Sequence, residues 1–329
     1  MNEQALLDAA RVGDEDAFAA LIAPYRGELT AHCYRMLGSV QDAEDALQEA
    51  LLRAWRGLAR FEGRSSLRSW LYTIATNACL RAIERRPKRV LPIDYGPATV
   101  DPHVDSAEPI VESVWVEPFP DPEAGYERRE GIELAFIAAL QHLPAQQRAV
   151  LILRDVLGFS GAEAAEMLDV SADAVYSALQ RAHKTVEERL PERTQQATLG
   201  SLGDDALREV VEDYVDAWER ADINALAARL AEDAVFTMPP VPTWFRGREA
   251  IATFLGERPL SGDLRWRIIP TRANGQLAFA HYGWDDEAGA FTAHGIAVIA
   301  LDGDRISDLT IFRDPEQVAR FGLPERLEA

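Results

Sequence analysis

Apolar residues recur at three- and four-residue steps through the first part of the chain, the spacing that gathers them on one helix face. Ala5, Leu6, Ala9 and Ala10 make the first face. Gly13-Asp14-Glu15-Asp16 breaks it, and Asp14 or Asp16 can cap the next helix. Phe18, Leu21, Ile22, Tyr25, Leu29, Cys33 and Leu37 continue the period. Pro24 falls inside that run and is expected to bend or interrupt it, because proline has no N–H to give. Ser39 is a natural N-cap for a third helix with the face Val40, Ala43, Leu47, Ala50, Leu51, Ala54, Trp55 and Leu58. A tight loop at Phe61 to Ser66 leads to a fourth helix from Leu67, and Pro87 closes an all-α body over 1–90.

From Pro92 to Pro122 the period is lost, and proline alternates with acid. This reads as a linker over 91–124, extended or disordered when free. Val111, Val114, Trp115, Val116 and Phe119 are apolar enough to dock on this chain or on a partner. Helical spacing returns over 125–192, from Ile132, Leu134 and Ile137 onward. Pro144 opens a helix carrying Val150, Leu151, Leu153 and Leu157. Gly158-Phe159-Ser160 breaks it, Ser160 caps a short helix, and Ser171 caps a longer one. Short helix, tight turn and longer helix make a helix-turn-helix, whose second helix enters the DNA major groove.

Residues 193–203 read as a second linker. Beyond Asp204 come two helical stretches, then strand-like runs beginning at Ala234, Leu264, Gln276, Ala290 and Ile306, with one helix at Arg248 to Leu255 between them. Ala273-Asn274-Gly275 and Asp302-Gly303-Asp304 suit antiparallel hairpins. The expected fold is multidomain: two all-α helical domains followed by an α+β domain over 204–325.

Composition adds constraints. A chain of 329 residues, 47% of them hydrophobic, can hold two or three real cores. It has no apolar run long enough for a bilayer and no N-terminal signal pattern, so the expected location is cytoplasmic. Cys33 and Cys79 are distant in sequence and read as reduced core thiols, not a metal site. The net charge of −20 argues against nucleic acid when taken as a sum. Its distribution argues otherwise: residues 52–89 are rich in arginine, while 94–123 are acidic.

Two motifs carry a specific resemblance. DAEDALQEALLRAW resembles the polymerase-binding helix of bacterial sigma factors of the extracytoplasmic-function group. FEGRSSLRSWLYTIATNACLRAIERR, which follows without a gap, resembles their promoter-melting and −10-reading segment. The likeness to sigma region 2 implies core polymerase contacts at Asp42, Glu44, Asp45, Gln48, Glu49 and Arg53. It implies −10 contacts at Arg64, Ser65, Trp70, Tyr72, Asn77, Arg81 and Arg85. Melting would be driven by unpaired bases stacking on aromatics. The second helical module resembles sigma region 4, which reads the −35 element. There Arg148, Arg154 and Lys184 are candidates for phosphates, beside Ser171, Tyr176, Ser177, Gln180 and Arg181 on the recognition helix. Gln180 fits adenine and Arg181 guanine by the geometry of their forks. Many family members carry a basic residue where Tyr176 and Ala178 stand, so this helix is electrostatically weaker. The linker in that family threads polymerase channels, and the acidic excess predicts weak binding of free protein to promoter duplex.

The last domain resembles the cone-shaped SnoaL-like polyketide cyclases and ketosteroid isomerases, in element order and in LAEDAVFTMPP and WFRGREAIATFL. That likeness implies a pocket walled by Trp218, Met238, Trp244, Trp266, Tyr282, His294 and Phe312. Where an enzyme of this fold would want its general base stands Thr237-Met238-Pro239, and His281 and His294 are the remaining candidate bases. The reading is therefore a non-enzymatic sigma factor with a regulatory C-terminal domain. It needs no cofactor or metal. Its partners are core RNA polymerase, promoter DNA and a candidate small-molecule ligand, with no membrane. The alternatives are a ligand-responsive helix-turn-helix regulator and a SnoaL-like enzyme with a DNA-binding module.

Overall fold

Helix caps set the start of the chain. Asn2 and Asp14 each accept from a backbone N–H three residues on, at 2.9 Å, and open α1 (Glu3–Arg11) and α2 (Glu15–Leu37). In this computed structural model, which describes residues 2–104, 107–110, 114–121, 133–191, 193–262 and 264–328, α2 runs unbroken through Pro24. Pro24 and Ala20 lie on the solvent face, where water can satisfy the carbonyl that lacks a partner. Leu21, Ile22 and Leu29 bury the opposite face. Ser39 caps α3 (Val40–Gly57) and Ser66 caps α4 (Leu67–Ile83). Cys33 of α2 and Cys79 of α4 are buried free thiols hydrogen-bonded to each other.

After a single turn, α5 (Pro92–Tyr95), and the rest of the linker come α6 (Leu134–Gln141) and α7 (Ala145–Leu151), the latter continuing into a π turn at Ile152–Val156. Ser160 and Glu163 cap each other's backbone at the start of α8 (Gly161–Leu168). Asp169 turns the chain in the left-handed region (φ 53°), and Ser171 caps α9 (Ala172–Glu187). Val175, Ala178, Ala182 and Val186 bury one face of α9. Met1–Arg89 and Ala135–Leu190 form one unit; Val90–Leu134 and Pro191–Ala329 form another.

The second unit differs from expectation at both linkers. Where 193–203 suggests a tether, the chain forms α10 (Gln195–Leu202). Gln195 is buried, donating to Leu301 O at 2.9 Å and accepting from Leu301 N at 2.7 Å. Glu133 accepts from the Gln195 and Gln196 N–H groups at 3.0 Å, capping that helix from a distance. Helices α11 (Asp204–Glu219), α12 (Ile223–Arg229) and α13 (Arg248–Glu257) follow, with strands β1 (Leu230–Met238) and β2 (Val241–Arg246) between the last two. Strands β3 (Trp266–Ala273), β4 (Gln276–Asp285), β5 (Ala290–Asp302) and β6 (Arg305–Phe312) complete the main sheet, before α14 (Pro315–Arg320) and a short β7 (Arg326–Leu327) paired with β5. The order is β2-β1-β6-β5-β4-β3, antiparallel except for β1 beside β6. Gly295 is required where β5 meets β6, because a Cβ there would lie 2.0 Å from Phe312 O.

The linker over 91–124 is not a free tether in its described parts. Val90 N donates to Val114 O and Val116 N to Val90 O, at 2.8 and 3.0 Å. Trp115 and Val116 are buried. Thr99 N donates to Trp244 O (2.8 Å), Ile110 N to Pro240 O (2.9 Å), and Phe119 N to Asn274 Oδ1 (2.8 Å). Asp121 accepts from Gly275 N at 3.0 Å in the β3–β4 turn. These are strand-edge and turn groups that would otherwise need water. Val111 and Ile132 lie outside the described residues.

Candidate nucleic-acid and partner interface

The apolar face of α3 points two ways. Val40, Ala43, Leu47, Ala50 and Ala54 enter the core. Leu51, Leu52 and Trp55 stay partly or fully exposed and, with Phe18 and Leu47, line a cleft of about 790 Å³ between α2 and α3. Glu15, Glu44, Asp45, Gln48, Arg26 and Thr30 complete its lining. An apolar cleft with a mainly acidic rim suits an amphipathic helix with basic flanks. Glu44, Asp45, Gln48, Glu49 and Arg53 all face solvent here, and Arg53 donates to Glu49 at 2.5 Å. Phe18, Leu52 and Trp55 were absent from the sequence-derived set of polymerase contacts, although Phe18 and Trp55 were read as members of the apolar helix faces.

Asp42 does not belong with that surface. It is 6% exposed and accepts from Arg89 Nε at 3.1 Å, with Arg86 on its other oxygen. Its carboxylate ties α3 to the segment after α4, because a buried charge must be paired. Of the −10 candidates, Arg64 and Arg85 are exposed, and Ser65, Trp70, Asn77 and Arg81 are half-buried. Trp70 lies 5.0 Å from the Phe61 ring, and Asn77 donates to Thr73 O at 2.9 Å. Tyr72 is a correction. It is fully buried, its hydroxyl donates to Glu28 at 3.2 Å, and it meets His32 and Phe159 edge-on. In this conformation no base can stack on it.

On the helix-turn-helix, Tyr176, Ser177, Gln180, Arg181 and Lys184 share the exposed face of α9, with Ser171 at its N-cap. Arg154 is half-buried and donates to Phe159 O at 2.5 Å, which closes the turn before α8. Arg148 is a second correction. It is 5% exposed and donates to Met36 O (2.5 Å), Gln141 Oε1 (2.6 Å), Gln141 O (3.1 Å) and Leu143 O (3.2 Å). Burial pushes its pKa down to about 10, and it holds carbonyls, not phosphates.

The segments that carry α3 and α9 are matched by family profiles. The Sigma-70 region 2 profile covers residues 21–89 and the Sigma-70 region 4 profile covers 133–186. The ECF RNA polymerase sigma factor SigG of Mycobacterium tuberculosis H37Rv is 41% identical over 319 residues, covering 94% of this chain and 85% of that protein. The chain belongs to the extracytoplasmic-function RNA polymerase sigma factors. The RNA polymerase sigma-H factor of Pseudomonas aeruginosa is 29% identical over 188 residues, covering 57% of this sigma factor and 93% of its own length. The crystal structure of the M. tuberculosis extracytoplasmic function sigma factor SigJ shares the fold, with a TM-score of 0.54 at 22% identity over 91% of this chain and 97% of that one.

A SnoaL-like profile covers residues 211–309 of the sigma factor. Its expected pocket wall is split by the sheet. Trp218, Met238 and Trp266 join Tyr214 and Phe279 in the core between helices and sheet. Trp244 is turned to the linker, donating from Nε1 to Gly96 O at 2.8 Å. Tyr282 donates to Pro324 O at 2.9 Å, and Phe312 alternates with the core residue Ile311 and so faces the other side. His281 sits among Tyr214, Trp218 and Trp266, with its Nε2 3.0 Å from the Tyr214 hydroxyl. Burial, then His294, brings its pKa down to about 3; burial, then Arg313, brings His294 to about 4. Both imidazoles are neutral and weak as bases. Thr237, in the place of a general base, donates to Thr310 Oγ1 at 2.9 Å. Among the described residues, no helix is long and apolar enough to cross a membrane.

Proposed function

We propose that this sigma factor docks on core RNA polymerase through the α2–α3 cleft, opens the −10 element with α4 and the basic segment after it, and reads the −35 element with α9. It works in the cytoplasm, where the polymerase is. The cleft carries this reading: its exposed Leu52 and half-buried Trp55, beside Glu44 and Asp45, suit a partner surface with an apolar ridge and basic flanks. Region 2 corresponds to 1–90 and region 4 to 125–192.

The C-terminal domain regulates by holding the linker. In the resembling factors that segment runs through polymerase channels, and here its backbone is satisfied by β2, the Pro240 carbonyl and the β3–β4 turn. Engagement by polymerase requires those contacts to exchange.

Run-off transcription with core polymerase on genomic promoters tests both statements. Full-length protein is expected to yield discrete start sites, and Leu52→Glu to reduce output more than tenfold. A chain ending at Leu190, without α10 and the SnoaL-like domain, is expected to differ in output. Failure of the intact protein to associate with core polymerase overturns the first statement. Equal output from both chains overturns the second.

A further inference from the structure

A cavity of about 360 Å³ lies between the segment after α4 and the start of α7. Part of its lining is apolar, with Leu37, Ala82, Ile83, Leu143 and Pro144. The rest is mainly basic. Arg86, Lys88, Arg89 and Arg148 line it, and among the described residues Asp42 is the one carboxylate of the lining. In a chain of net charge −20, four cations to one acid is a local reversal.

The buried cations have protein partners. Arg89 donates to Asp42 at 3.1 Å, with Arg86 on the same carboxylate. Arg148 holds the carbonyls described above. The cations around His142 are arranged differently. Lys88 Nζ lies 2.7 Å from His142 Nδ1, and Arg189 reaches His142 Nε2 at 3.2 Å. A neutral imidazole has one acceptor nitrogen, and an imidazolium has none. At least one of these contacts therefore sets donor against donor, with two positive charges converging on one ring. An anion beside His142 removes that conflict, because its oxygens accept from ammonium, guanidinium and imidazole N–H alike. Lys88 is exposed and His142 half-buried, so the place is open to a solute.

The apolar part of the lining sets the class of ligand. Inorganic phosphate would use the cations and leave Leu37, Ile83 and Pro144 uncovered. A ring laid on those residues buries apolar surface while its phosphates meet the cations. The volume falls in the range of small-molecule pockets, about 300–1,000 Å³. We propose that this cavity binds a small organic phosphate of the nucleoside diphosphate kind, its phosphates at Lys88, His142 and Arg189 and its ring against Leu37, Ile83 and Pro144. Arg85 is exposed outside the lining and stays available to DNA. The site does not rest on the sigma reading.

Calorimetric titration of the full chain tests it, with adenosine and guanosine diphosphates, inorganic pyrophosphate and adenosine as probes. Both diphosphates are expected to bind at micromolar concentration, and pyrophosphate and adenosine each about tenfold more weakly or worse. Lys88→Gln should weaken diphosphate binding about tenfold, the scale of one hydrogen bond to a charged group. His142→Glu puts a carboxylate where the phosphates would sit and gives both cations an acceptor. It should abolish binding without lowering the melting temperature. Arg208→Gln, an exposed change on α11 outside the lining, should leave the affinity unchanged. No diphosphate binding at millimolar concentration would overturn the proposal. So would folded Lys88→Gln and His142→Glu proteins with wild-type affinity. Pyrophosphate binding as tightly as the diphosphates would overturn the organic class of the ligand. Equal affinity per phosphate for duplex DNA of unrelated sequence would assign these cations to the DNA backbone and overturn the site.

Discussion

Within the sigma unit, region 4 meets region 2 through guanidinium and amide groups aimed at carbonyls and through the buried edge-on pair Tyr72–Phe159. Within the C-terminal unit, Tyr214, Trp218, Trp266 and Phe279 close one continuous apolar core, with Tyr214 stacked 4.1 Å from Phe279. The carbonyl contacts can trade their partners for water; the ring contacts cannot open without exposing ring surface. The two units thus differ in proportion: polar caps on α2 carbonyls share the seam between regions 2 and 4 with one ring pair, while rings close the C-terminal core throughout. The described residues of the linker belong to the second.

The largest expected effect is on the closed core. Phe279→Ala removes a fully buried ring from a central strand and should cost about 3–5 kcal/mol. Hydrogen exchange should show the loss over β3–β5 and α11, with α2–α4 protection unchanged. Loss of protection in α2–α4 as well would break the contrast between the units. Next is Asp42→Asn, which leaves Arg89, 6% exposed, beside a neutral partner. Breaking a buried pair this way is expected to cost about 3 kcal/mol in urea unfolding. Region 2 should weaken as a body, while hydrogen-exchange protection of α11 and β3–β6 stays unchanged.

Acid sharpens the comparison. His32 in region 2 is buried, donating to or accepting from Thr76 at 2.9 Å, and burial, then Arg35, lowers its pKa to about 3. The C-terminal unit has two such groups, His281 at about 3 and His294 at about 4. A buried neutral imidazole stabilises fully above its unfolded pKa of about 6.5 and loses that contribution as pH falls toward the folded value. Each group should remove about 1.4 kcal/mol per pH unit below 6.5. Between pH 6 and pH 5, exchange-derived stability should fall about twice as steeply for β4 and β5 as for α2. Replacing His32 by Gln should flatten only the α2 response. Equal slopes in the wild-type chain would contradict the neutral pair in the C-terminal unit.

Local signals were readable before the fold. Ser39, Ser160 and Ser171 cap the helices they were expected to cap, and of Asp14 and Asp16 it is Asp14 that caps α2, because a cap depends on residues three positions away. The helix-turn-helix follows from its turn chemistry for the same reason. The misreadings are long-range. Charged residues are assumed exposed, and nothing near Asp42 or Arg148 in sequence announces Arg89 or the Met36 carbonyl. Trp115, Val116 and Phe119 stood out as apolar, but the turn that receives Phe119 lies at Asn274. Strand β2 was missed because its six residues become a strand only by pairing with β1. The expected pocket wall failed on parity, since residues from both faces of the sheet were placed on one side.

The smallest effect probes the exposed face of α9, where Tyr176 is exposed and Ala178 buried. Gln180 Nε2 donates to the Tyr176 hydroxyl at 3.3 Å, one helical turn back. That contact uses one amide hydrogen and leaves the other, with Oε1, for the N7 and N6 edge of adenine. Gln180→Ala should lose the preference for adenine at one −35 position, a difference of about 1–2 kcal/mol, while leaving the salt dependence of binding unchanged. Tyr176→Phe keeps the ring but frees the amide, so it should blur that same preference by less. Lys184→Ala should behave in the opposite way, weakening all sequences alike and lowering the salt slope by about one ion. Selection of −35 variants by holoenzyme, read base by base, separates these outcomes. A profile for Gln180→Ala that matches wild type at every position would remove adenine readout from this helix and leave its phosphate contacts as its whole contribution.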